Sequence, residues 1–88
     1  MMTATAASTQ APATAGNLIE WLLRDGFARE AGRPWFRKGM TRVVIDDEEG
    51  FFTVYRFDDA YPKADMLAWD VRFSCAPLAV ITATIKAA

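Results

Sequence analysis

The apolar positions of this chain change period twice, dividing it into a helix, a run of strands and a second helix. Between residues 17 and 25, Leu18 with Leu22 and Ile19 with Leu23 recur four apart, with Trp21 at the edge of the stripe they form. That spacing predicts an amphipathic helix over 17–25. Asn17, followed three residues later by Glu20, has the form of an N-cap with its capping-box partner. Gly26 is placed for a left-handed stop, and Phe27 falls where a Schellman motif brings an apolar residue back against Leu22.

From Phe27 the period becomes two. Arg33-Pro34 marks a turn, Trp35–Lys38 a short strand, and Gly39 a break. Thr41–Asp46 is a β-branched strand, and 47–50 a hairpin loop whose Gly50 can take positive φ. Phe51–Phe57 is the next strand, followed by a loop of eight residues. Over 66–74 the alternation is clean, with Leu67, Trp69, Val71 and Phe73 on one face and Ala68, Asp70, Arg72 and Ser74 on the other. Trp69 is therefore expected to anchor the core. The C-terminal segment returns to helical period: Ser74 can cap, Pro77 suits a first turn, and Leu78, Ile81 and Ile85 form one stripe. Short links between consecutive strands make the sheet an antiparallel meander. The prediction is a two-layer α+β domain with an N-terminal helix, three to four strands and a C-terminal helix, both helices on one face of the sheet.

Composition adds a boundary. Residues 1–16 carry no charge and, apart from two methionines, no large apolar side chain. A segment like that cannot bury enough surface to offset its ordering entropy and reads as a flexible tail, dispensable for folding. The remaining 72 residues (17–88) form a single domain. A chain this short buries only about 60% of its unfolded surface, but eleven aromatic residues give it a heavy apolar load. The tail lacks the charge and apolar pattern of a leader, and no apolar run approaches the roughly 20 residues of a membrane span. A cytoplasmic protein that does not enter a membrane is the expectation.

Candidate chemistry is sparse. The chain has no histidine, which removes the usual neutral-pH base, the commonest metal ligand and any Ser-His or Cys-His pair within one chain. The lone cysteine, Cys75, reads as a small buried residue at a strand-to-helix junction. Asp46, Asp47, Glu48 and Glu49 are contiguous, but Phe51 stands where a calcium loop starting at Asp46 needs glycine. No catalytic residue, metal or cofactor is expected, and the protein is expected not to be an enzyme.

Charge distribution carries the functional reading. The net charge of −1 conceals a division. From Arg24 to Arg42 six basic residues face two acidic ones, and from Asp46 to Asp70 eight acidic residues face two basic ones. One explanation is that strands from the two blocks lie side by side and pair their charges. The other is docking: acidic loops bearing Asp46, Asp47, Glu48, Glu49, Asp58, Asp59 and Tyr61 suit a basic surface on a protein partner. The expected function is a small regulator or inhibitor that occupies a partner's surface. A concrete form is a phage or mobile-element antagonist of the anti-CRISPR type, competing with nucleic acid for a basic channel. Size and missing chemistry carry that reading, not a family signature. The alternatives are a nucleic-acid-binding module using Arg33, Trp35, Arg37, Lys38 and Arg42, disfavoured by a pI near 5.2, and a self-assembling subunit or homodimer.

Overall fold

The computed structural model describes residues 11–46, 50–58 and 67–88. The elements run α1 (Ala15–Arg24), β1 (Ala28–Arg29), β2 (Trp35–Lys38), β3 (Thr41–Ile45), β4 (Phe51–Phe57), β5 (Leu67–Ser74) and α2 (Leu78–Ala87). The five strands pair in sequence order, each antiparallel to the next. This is the expected helix–meander–helix α+β fold, with five strands where three to four were predicted. The addition is β1, whose two residues are too few to show a period.

The C-terminal end of α1 forms as its sequence dictates. Gly26 takes φ 97°; its amide donates to the Leu23 carbonyl and the Phe27 amide to the Leu22 carbonyl, at 3.2 and 2.9 Å. These are the two bonds of a Schellman motif, and Phe27 is buried as the motif requires.

The N-terminal end differs from expectation. The helix starts two residues early and is capped by Thr14, whose hydroxyl accepts the Asn17 amide at 3.1 Å. Ala15 and Gly16 give no periodic signal, so the sequence pattern places the cap too late. The tail boundary moves with it. Pro12 bridges Pro77, the Ala13 amide donates to the Ala76 carbonyl at 2.9 Å, and Ala13 is buried. Residues 12–16 therefore belong to the folded unit, anchored to the start of α2.

One apolar cluster joins the layers. Leu18 and Leu22 of α1 and Ile81 and Ile85 of α2 pack with Phe36, Val43, Ile45, Phe52, Val54 and Phe73 of the sheet. The rows Phe36–Val43–Val54–Val71 and Ile45–Phe52–Phe73 run across the strands on this face, so both helices cover the same side. At β5 the cover gives out. Phe73 is buried, but Trp69 and Val71 are 36% and 37% exposed. Trp69 is thus not the core anchor that alternation suggested, because an edge position can face the core side and still lie beyond the reach of the helices. Leu67 does not share that face either. A register shift at Arg56/Phe57 pairs Phe57 with Leu67, and this bulge turns Leu67 to the other side of the sheet.

At the start of α2, Pro77 is the N-cap residue with no side-chain cap, and Ser74 ends β5 instead of capping. Cys75 between them sits at φ 52° and is exposed, not buried as expected. Its amide bonds to the Gly50 carbonyl at 2.8 Å, holding the turn on the backbone, and its sulfur lies beside Gly50. No helix among the described residues is long and apolar enough to cross a membrane.

Candidate functional site

The turn between β2 and β3 sets the register Trp35↔Val44, Phe36↔Val43, Arg37↔Arg42 and Lys38↔Thr41. Opposed residues share a face. Phe36 and Val43 enter the core, while Trp35, Arg37, Arg42 and Val44 project from the side opposite the helices. Tyr55 and Thr53 of β4 extend the same rows.

On this outer face the basic and aromatic side chains stack. The guanidinium carbons of Arg33 and Arg42 lie 4.5 and 4.6 Å from the Trp35 ring centroid. Those of Arg37 and Arg42 lie 4.6 and 5.0 Å from the Phe57 centroid. Phe57 is buried yet stands apart from the main core cluster; what covers it includes these two arginines. Arg42 is also fixed by charge. Its Nε and an Nη donate to the two carboxylate oxygens of Glu30 at 2.6 and 2.9 Å, the two-pronged pairing that a guanidinium makes with a carboxylate. Arg37 donates from Nε to the Gly39 carbonyl at 3.0 Å.

Among these side chains lies a hollow of about 360 Å³ lined by Trp35, Arg42, Val44, Tyr55, Phe57 and Leu67. Its walls mix rings, aliphatic groups and one paired guanidinium. The Tyr55 hydroxyl is its one side-chain group besides the guanidinium and the indole N–H that can exchange hydrogen bonds.

The structure brings together four of the five residues of the basic alternative: Arg33, Trp35, Arg37 and Arg42. It separates Lys38, which alternation turns to the helix side, where Nζ donates to the Asp25 carbonyl at 2.6 Å and lies 3.4 Å from its carboxylate. Of the acidic candidates, Asp46 pairs with Arg72 at 3.1 Å, an acidic residue of the second block with a basic residue beyond it. Asp58 follows β4, half-buried. Asp47, Glu48, Glu49, Asp59 and Tyr61 lie outside the described residues. Tyr55, Phe57, Val44 and Leu67 complete the outer hollow and were not singled out from sequence, although the register around Gly39-Met40 places Val44 beside Trp35. Among the described residues no three acidic or cysteine side chains gather as a metal site would require. Comparison with protein-family models, with curated proteins and with solved structures finds no match.

Proposed function

We propose that this protein is a non-enzymatic docking module that binds an acidic segment of a protein partner on the outer face of its sheet. The observation that supports this is the pre-assembled guanidinium–aromatic cluster of Arg33, Trp35, Arg37, Arg42 and Phe57 bordering an open, partly apolar hollow. Trp, Tyr and Arg in a hollow are the residue types that dominate binding energy at protein interfaces. Stacking also removes side-chain freedom before binding, which lowers the cost of association. Arg33 and Arg42 both stack on Trp35 at the edge of the hollow, so an acidic partner segment with an apolar anchor complements it.

Two other readings have less support. Base stacking by nucleic acid needs open ring faces, but Trp35 already carries two guanidinium groups, Phe57 is buried, and Phe36 lies in the core. Docking through acidic loops, in the manner of an inhibitor that competes with nucleic acid, would draw on Asp46, which is already tied to Arg72, on Asp58, and on Asp47, Glu48, Glu49, Asp59 and Tyr61, which lie outside the described residues.

The test is a titration of the isotope-labelled full chain, followed by amide shifts, with three probes: a Glu/Asp-rich peptide bearing one leucine, a Lys-rich peptide, and a single-stranded oligonucleotide. Shifts are expected at Arg33, Trp35, Arg42 and Tyr55 with the acidic peptide, weakening as salt rises. Tighter binding of the oligonucleotide at the same residues, or a response confined to 46–49 and 58–61 with the Lys-rich peptide, would overturn the proposal.

A further inference from the structure

The two edges of the sheet are unequal. One is β1, two residues long; the other is β5, eight residues with no proline, glycine or lysine to discourage pairing. Among the described residues no strand pairs with the far side of β5, and a long unpaired edge is a template for another strand; β5 also presents more than backbone. On the helix side it exposes Trp69 and Val71. On the outer side it carries Asp70, which has no ion-pair partner among the described residues, and Arg72, which bonds to Asp46 through one Nη at 3.1 Å and keeps 69% of its side chain exposed.

The hydrogen-bond phase of the sheet says which backbone groups point outward. The bonds Asp46 N–H to Phe51 O, Phe57 N–H to Met40 O and Cys75 N–H to Gly50 O each belong to the bonded pairs of their ladders. In an antiparallel ladder bonded and non-bonded pairs alternate. Val71, opposite Val54, and Phe73, opposite Phe52, therefore direct their amides and carbonyls to β4. Those of Asp70 and Arg72 point to the free edge.

We propose that β5 pairs antiparallel with β5 of a second copy, about a two-fold axis at Val71. This register alone meets all three requirements. The outward amides and carbonyls of Asp70 and Arg72 bond to those of Arg72 and Asp70 in the other copy. Val71 meets Val71 at a non-bonded position, where opposed side chains approach most closely, and Trp69 faces Phe73. On the outer side each Asp70 faces an Arg72, twice by symmetry. Shifting by two residues in one direction sets Asp70 against Asp70, and in the other sets Arg72 against Arg72, like charges opposed in both. The interface is isologous and closes as a dimer with one continuous ten-stranded sheet. The inference rests on β5 alone and does not depend on the docking reading of the outer face.

The test uses the full chain and its mass in solution, by sedimentation over a range of concentration. Wild type is expected at twice 9.8 kDa. Asp70→Arg and Arg72→Asp are each expected to weaken self-association about tenfold or more, since each sets like charges opposite twice. An equimolar mixture of the two variants is expected to restore dimers, because every 70–72 contact is then attractive. Amide exchange at Asp70 and Arg72 should slow as concentration rises. A wild-type chain that stays monomeric at high concentration overturns the proposal. So does a dimer indifferent to Arg72→Asp, or a mixture no better associated than either variant alone.

Discussion

The pair Glu30–Arg42 offers the sharpest test of whether the outer face is a built site. Its geometry, two bonds at 2.6 and 2.9 Å, resembles a buried pair, but the side chains keep 29% and 17% of their exposure. Exposed pairs are worth about 0.2–1 kcal/mol, and breaking buried ones costs about 3–5 kcal/mol. Partial exposure with two-pronged geometry puts the coupling between them, at about 1–2 kcal/mol. Arg42 also packs over Trp35 and Phe57, contacts worth about 0.5–1 kcal/mol each. Arg42→Met should thus cost more than Glu30→Gln, which leaves the stacking in place. The assay is a double-mutant cycle in urea, followed by tryptophan fluorescence. With a slope of about 1 kcal/mol per molar urea, a coupling of that size moves the midpoint by about 1–2 M. Coupling below about 0.5 kcal/mol would mean that Glu30 and Arg42 are independent and the cluster is not pre-assembled.

The remaining predictions concern the fold. Phe52→Ala, at 1% exposure in the centre of the cluster, should cost about 3–5 kcal/mol, whereas Trp69→Ala should lower stability by about 1 kcal/mol at concentrations where the chain is monomeric; comparable losses would mean that β5 is covered. Deleting residues 1–10 should leave the melting temperature unchanged, while deleting 1–16 removes the Thr14 cap and the Ala13–Ala76 bond and should cost about 1–2 kcal/mol. Gly26→Ala should cost about 1–2 kcal/mol from positive φ alone, since the added methyl meets only the Lys38 side chain, no closer than 3.7 Å. Cys75 should react with a thiol reagent in the folded state without waiting for unfolding, as its exposure implies.

Elements whose signal is local could be read from the chain directly. The Schellman stop at Gly26-Phe27 and the bounds of β2 and β4 each depend on a few adjacent residues, and each formed where expected. What escaped depends on tertiary context. The segment preceding α1 is ordered by the bond from Ala13 to Ala76, some sixty residues later in the chain. The alternation over 66–74 assigns faces but not which positions a helix reaches, and a bulge opposite Phe57 moves Leu67 to the other face. In the site, the β2–β3 register was within reach of the sequence, because a turn at Gly39-Met40 sets Arg37 opposite Arg42 and Trp35 opposite Val44. The pairing of Arg42 with Glu30 was not, since it needs the link between β1 and β2.

The charge division along the chain is also partly resolved by how the strands are ordered. Among the described residues, Arg42 pairs with Glu30 and Lys38 with Asp25 within the basic block, and Asp46 reaches past both blocks to Arg72. A meander forces this outcome: β2 and β3 both come from the basic block and neighbour each other, so their guanidinium groups converge on one face before any acidic strand intervenes. Convergence of like charges costs energy unless something offsets it, and here Glu30, Trp35 and Phe57 do so. Asp70, two strands away from Arg42 on the same row, has no ion-pair partner among the described residues. In the proposed dimer its complement is Arg72, which lies on its own strand and points to the same face, so a second copy of β5 in antiparallel register would set the two opposite each other.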